Sequence, residues 1–299
     1  MEPLSGLVSN DQRARVRVTA ARLYQDACEL DWPGPGQPEL HRRVCFMIAA
    51  IAPDLPYERL SVLARYARWS ILLDDRLDGP DPDPAALDRL QQAVAAVTQA
   101  GRTGRDPVVA LLARILDQLA RYDRSGAAAQ QVGVELRDAV ASGVAHALLA
   151  QAVFHRRQPP PTAEQYLPVA ARTVNYRSFA FALLAVGSDR WAVPAPASLD
   201  RPLWHAAYAV RLSNDLRSEE RDRAEQTLNI LRLRTRAGTG VTPRAVRAQI
   251  DRRVRAHHHA LARTIQPGHP AGPALTRSLQ LSVGLYRLTD LRPATGSPT

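Results

Sequence analysis

The stretch LLDDRLDG sets three carboxylates, Asp74, Asp75 and Asp78, at the end of an apolar run, YARWSIL. Carboxylates go inside a protein only when something positive meets them, because desolvating an unpaired charge costs more than packing returns. On a helix Asp74 and Asp78 share a face about 6 Å apart along the axis, with Asp75 beside them. Oxygen donors grouped in this way suit a hard cation, Mg²⁺ above all. Taken alone, the cluster fits a solvated helix end equally well. A second stretch, RLSNDLRSEERD, shifts that balance. Asn214, Ser218 and Asp222 fall at i, i+4 and i+8, so one helical stripe carries an amide oxygen, a hydroxyl and a carboxylate. All three could share one Mg²⁺. A charged surface helix accounts for Glu219, Glu220 and the arginines around them. It does not account for Asn and Ser on the stripe of Asp222, nor for the apolar approach WHAAYAVRL.

Helices must position these donors. Of the 23 prolines of the 299-residue chain, 15 gather in PGPGQP, GPDPDP, PPPT, VPAPASLDRP and PGHPAGP. Between these clusters run segments rich in Ala, Leu, Arg and Gln, all strong helix formers. No Asn-Gly or Asp-Gly turn joins alternating apolar strands. The fold class is therefore all-α. Pro and Gly punctuation predicts helices over 10–32, 38–52, 56–78, 84–99, 106–123, 127–156, 163–189, 199–222, 225–237, 243–265 and 272–291. Thr242 reads as an N-cap with Pro243 at the first helical position. No repeat or composition shift marks a boundary, so one domain is expected over 1–291 with a disordered tail over 292–299.

The net charge is +10, and all 39 basic residues are Arg. Absence of Lys beside abundant Ala, Pro and Asp has the look of GC-rich codon usage. The positive excess favours a polyanionic partner: a diphosphate, a nucleic acid or an anionic membrane. Cys28 and Cys45 make no disulfide framework and read as small buried hydrophobes. The N-terminus shows no apolar signal core, and no apolar run is long enough to cross a bilayer. The expectation is a cytoplasmic protein with no membrane or nucleic-acid partner. In RAHHHALAR, His257 to His259 point about 100° apart on a helix and cannot converge on one ion, so they read as a solvated face. GRTGRDP (101–107) follows no strand, which argues against a phosphate loop.

DDRLD followed by NDLRSEERD resembles the paired metal motifs of bacterial class I terpene synthases, DDxxD and NDxxSxxxE/D, in order and separation. Prenyl-chain elongating synthases share the fold but carry two aspartate-rich motifs. The second motif here therefore points to a cyclase. The resemblance spans about 56–291. It implies a single-domain helical bundle around a deep apolar cavity, with three Mg²⁺ ions holding a substrate diphosphate between the motifs. Carried over, Asp74 and Asp78 hold two of the ions, and Asn214, Ser218 and Asp222 the third. Asp75 is either a ligand or the partner of an Arg.

The resemblance also implies diphosphate contacts from Arg221, just before Asp222, and from the Tyr286–Arg287 pair. Arg172 stands as diphosphate sensor, with Asn175 as linker and Tyr176 as effector, and Arg177 is the alternative sensor. The family's usual Asp linker and Gly effector are replaced here. Aromatic rings stabilise carbocations through their quadrupole, and the candidates are Tyr66, Trp69, Phe154, Phe179, Phe181, Trp204 and Tyr208.

The implied reaction is Mg²⁺-dependent ionisation of a prenyl diphosphate and cyclisation of the cation, with release of diphosphate. Few bulky aromatics and many Ala and Val lean towards geranylgeranyl diphosphate and a cyclic diterpene. Copalyl and farnesyl diphosphate are the alternatives. No DxDD motif occurs, since DPDP at 81–84 has Pro84 in the fourth place, so protonation-started cyclisation is not expected. The family implies a possible homodimer. From a different class, a basic helical nucleic-acid-binding protein accounts for the charge. Its basic residues, however, are spread over most helices, and few aromatics are available for stacking.

Overall fold

Prolines and short polar caps start most of the helices. The protein is described here by a computed structural model covering residues 8–29, 38–77, 83–101 and 105–288, apart from the side chains of residues 29, 287 and 288. Asp78, positions 102–104 of the GRTGRDP stretch and the expected tail over 292–299 lie outside the described residues. The helices are α1 (Asn10–Glu29), α2 (Pro38–Ile51), α3 (Tyr57–Leu77), α4 (Pro84–Ala100), α5 (Pro107–Tyr122), α6 (Ala127–Phe154), α7 (Ala163–Thr173), α8 (Tyr176–Gly187), α9 (Pro196–Ala224), α10 (Pro243–Thr264) and α11 (Ala271–Leu288). No strand occurs among the described residues, and the all-α class holds.

The caps follow the sequence. Asp83 and Asp106 accept the first free amides of α4 and α5, each with Pro at the start of the helix. Thr162 and Gln165 form a capping box on α7. Thr242 accepts from Ala245 N at 3.2 Å ahead of Pro243, as the sequence predicts.

Several expectations are corrected. The helix expected over 163–189 is two helices, because Asn175 turns into the left-handed region at φ +54° between α7 and α8. Asn adopts that conformation more readily than other residues bearing a Cβ. The helix expected over 225–237 is a loop with a 3₁₀ turn at Ile230–Arg232. There α9 stops in a Schellman arrangement: Gln226 sits at φ +56°, Gln226 N donates to Arg223 O and Thr227 N to Asp222 O at 2.7 Å. The third correction is His257, which is not solvated. It is fully buried, with Nδ1 at 2.8 Å from Pro202 O. Pro202 lies inside α9 and cannot donate to Ser198 O; the Thr264 hydroxyl reaches that carbonyl instead, at 3.3 Å. Cys45 is buried as expected, whereas Cys28 is exposed.

α3 packs against α2, α5 and α8, and α9 against α7, α8, α10 and α11. α6 approaches α3 so closely at Gly143 that a Cβ there would lie 2.7 Å from Leu77 Cδ1. These helices leave a cavity of about 180 Å³ between α2, α3, α6, the α7–α8 break, α9 and α11.

Candidate active site

Much of the cavity lining is apolar, supplied by Val44, Met47, Ile71, Leu73, Leu77, Phe179 and Val210 among others. One region of its lining is polar. Asp74 from the last turn of α3 shares this lining with Asn214, Arg221 and Asp222 from α9 and Tyr286 from α11. The two sequence motifs, distant along the chain, thus border one cavity. Asp75 is exposed and does not line it.

Ser218 is fully buried between the other two donors of its stripe. Its hydroxyl lies 2.9 Å from Asn214 O and 2.7 Å from Asp222 Oδ2. Arg221 sits 3.4 Å from Asp222 Oδ1 and 3.5 Å from Glu225. Burial, and next the Asp74 carboxylate, push the Tyr286 phenol well above its usual range, so it stays a neutral donor beside Asn214. Among the described residues no three His, Cys, Asp or Glu side chains converge on one point. The donor chemistry nevertheless fits Mg²⁺: an amide oxygen, a hydroxyl and a carboxylate line up on α9, with the Asp74 carboxylate across the cavity.

The break between α7 and α8 forms another wall. Thr173, Val174, Asn175 and Tyr176 all border the cavity. Asn175 Nδ2 donates to Ser70 Oγ at 2.8 Å, one turn before Asp74 on α3. Ser178 Oγ donates to Asn175 O at 2.8 Å.

Arg172 is placed elsewhere. Its guanidinium stacks on Trp204 at 4.7 Å, NH1 donates to Pro168 O, and the side chain borders a separate small pocket. Arg177, the alternative sensor, is held by Glu135 at 2.6 Å and Asp200 at 2.9 Å. Both lie outside the cavity, correcting the expectation that either faces it. The arginines that do line it are Arg211 and Arg221. Arg287 belongs to α11, but its side chain is outside the described residues.

Of the aromatic candidates only Phe179 lines the cavity. Tyr66 packs behind it, with ring centroids 6.1 Å apart. Trp69 is buried with its indole N–H on Val108 O, and Phe181 is core. Phe154, Trp204 and Tyr208 are covered by the guanidiniums of Arg232, of Arg172 and Arg177, and of Arg253. Cation–π contacts with the protein's own arginines occupy the rings expected to face substrate.

The sequence reading missed a buried polar group behind the site. Arg211 pairs with Asp215 at 2.8 Å, and both hold the Tyr166 hydroxyl. Arg211 NH1 also reaches Thr173 Oγ1 at the end of α7. Burial lifts the Asp215 carboxyl to about 6 against the pull of Arg211. His146, in the cavity wall, is held neutral: burial and then Arg211 push it down to about 3. An i, i+4 Arg–Asp pair overlapping the NDLRS motif was the signal available in the sequence.

An all-α bundle with two oxygen-donor motifs facing across an apolar cavity defines a class I terpene synthase, a lyase acting on prenyl diphosphates. Residues 65–259 match the family described as terpene synthase family 2, C-terminal metal binding, and the chain belongs to that family. No curated protein matches the sequence. Solved structures share the fold at low identity. The linalool/nerolidol synthase of Streptomyces clavuligerus, crystallised with 2-fluorogeranyl diphosphate, is 18% identical with a TM-score of 0.70, covering 91% of this chain and 98% of its own. A point mutant of SVS_A2, a protein from ancestral sequence reconstruction, is 16% identical with a TM-score of 0.69, covering 95% and 88%. Germacradien-4-ol synthase of Streptomyces citricolor is 14% identical with a TM-score of 0.63, covering 93% of both chains. No described helix is long and apolar enough to cross a membrane.

Proposed function

We propose that the protein ionises a short-chain prenyl diphosphate, farnesyl diphosphate foremost, and cyclises the resulting cation. The observation that carries this reading is the single cavity in which Asp74, Asn214, Arg221, Asp222 and Tyr286 share the lining with apolar side chains such as Val44, Met47, Ile71 and Phe179. Asp74, Asn214, Ser218 and Asp222 are the residues that would hold Mg²⁺, with Asp78 as a further candidate. Bound Mg²⁺ supplies charge neutralisation to the departing diphosphate. In this reading Arg221 and the Tyr286 phenol, both in the cavity lining, donate to diphosphate oxygens, and such donors matter most where charge develops. Apolar walls exclude water from the cation, while Phe179 offers a ring face to it.

The preference for farnesyl over the geranylgeranyl chain favoured by the sequence rests on the solved neighbours. Two of them are named as linalool/nerolidol synthase and germacradien-4-ol synthase, and the first holds 2-fluorogeranyl diphosphate. Assembly as a homodimer is part of the same proposal and is read directly by light scattering.

The test is incubation with Mg²⁺ and, separately, geranyl, farnesyl, geranylgeranyl and copalyl diphosphate, followed by gas chromatography–mass spectrometry. A terpene from farnesyl diphosphate, abolished by EDTA, is expected. Product from geranylgeranyl or copalyl diphosphate alone overturns the chain length. No product and no released diphosphate from any substrate overturns the activity.

A further inference from the structure

The loop after α9 carries a side chain that belongs to neither motif. We infer that Asn229 is a positioning residue that fixes Asp222, and the backbone beside Asn214, for cation binding. Asn229 is 1% exposed, and its amide is fully used. Nδ2 donates one hydrogen to Asp215 O at 2.7 Å and the other to Asp222 Oδ2 at 2.8 Å. Oδ1 accepts from Leu231 N at 3.0 Å and so caps the 3₁₀ turn.

The consequence at Asp222 is specific. Oδ2 receives both Asn229 and Ser218, which together set the plane of the carboxylate. Oδ1, with Arg221 at 3.4 Å, is the oxygen left with capacity for a cation. The second hydrogen of the same amide grips the carbonyl of the residue next to Asn214. One side chain therefore ties Asp222, and the backbone next to Asn214, to the loop that follows α9. Groups that hold metal-binding carboxylates in this way commonly tune affinity as strongly as a weak ligand does.

The inference rests on the proposed Mg²⁺ role of Asp222, and the experiment separates the two. Mn²⁺ binding to the full-length protein is measured by electron paramagnetic resonance of the free ion, with inorganic diphosphate present. The proteins compared are wild type, Asn229→Asp and Asn229→Leu. Asn229→Asp keeps the acceptor that caps the turn and loses the donors; Asn229→Leu loses the donors without adding charge. Melting curves show which variants fold. The expected result is a loss of Mn²⁺ affinity of about 10- to 100-fold in each folded variant. Wild-type affinity in a folded variant overturns the role of Asn229 alone. No Mn²⁺ uptake by the wild type overturns the cation role of Asp222 and this inference with it. A measurement on the wild type covers failure of both variants to fold. With ¹⁵N-labelled asparagine, the Asn229 side-chain amide signal is expected to shift when Mg²⁺ and diphosphate are added. An unmoved signal overturns the inference.

Discussion

Asn175 donates through its side chain to Ser70 Oγ at 2.8 Å, joining the break between α7 and α8 to the helix that presents Asp74 one turn later. The same residue holds a left-handed backbone at φ +54°. Asn175→Gly keeps the backbone at ease and loses the tie; Asn175→Ala loses both. Thermal unfolding should show Ala destabilised by about 1–3 kcal/mol and Gly by less. Both variants should lose about tenfold or more in kcat, because small misplacement of a reacting wall is costly. Equal activity in wild type and Asn175→Gly would show that the tie does not position the site.

The buried pair of Arg211 and Asp215 gives a second expectation. Removing one partner strands a charge in the interior, so Asp215→Ala should cost about 3–5 kcal/mol in urea unfolding. The double variant Arg211→Met with Asp215→Leu should recover most of that loss. Additive losses in the double variant would mean that the two side chains stabilise the fold independently.

Acid sensitivity should follow His257. Burial is the main cause that lowers its imidazole from 6.5 to about 4, with His258 and His205 adding to it and the Pro202 carbonyl opposing. The unfolded chain takes up the proton near pH 6.5, while the folded protein refuses it until about pH 4. Stability is therefore full above pH 6.5 and declines by about 3 kcal/mol as pH falls through that window. His257→Gln keeps a donor for Pro202 O and cannot titrate there, so its urea midpoint should fall less steeply between pH 6.5 and 4. A parallel decline would assign the acid limb to other groups.

Substrate length should be adjustable at one partition. Val44 and Ile71 line both the main cavity and a neighbouring pocket bounded by Cys45, Tyr57 and Ala64. Ile71→Ala should join the two spaces and raise turnover of geranylgeranyl relative to farnesyl diphosphate severalfold when both compete. An unchanged ratio would place the limit on chain length at another wall.

Much of the helical frame was legible because prolines and Thr or Asp caps act locally, as at Thr242 and Pro243. Both motifs were legible because a stripe at i, i+4 and i+8 is a property of any helix. The left-handed turn at Asn175 was not, since nothing in AARTVNYRSF forbids a continuous helix. Neither was the loop over 225–237, whose residues include good helix formers. It is held open by the Schellman end at Gln226 and by Asn229, whose side chain reaches back to Asp215 and Asp222 on α9. The aromatic candidates failed for a related reason. Periodicity says which residues share a face, not what that face meets, and for Trp204 and Tyr208 it meets arginines. His257 had the same ambiguity, and there the buried answer prevailed.

Asp74 lies in the last turn of α3, and Asp222 in the last turn before the Schellman end of α9. Each helix thus directs the negative end of its backbone dipole towards the region where its own carboxylates already gather. A helix terminus usually recruits the opposite charge, as Arg221 does for α9. Here two termini of like sign border one cavity, and each carries an acid, Asp74 or Asp222, as well as an arginine, Arg76 or Arg221. Under the proposed Mg²⁺ role, their combined field would favour cations before any substrate arrives and would weaken once they bind. On that proposal, the ions that ready the pocket for an anionic head group would also offset the like-signed ends of α3 and α9.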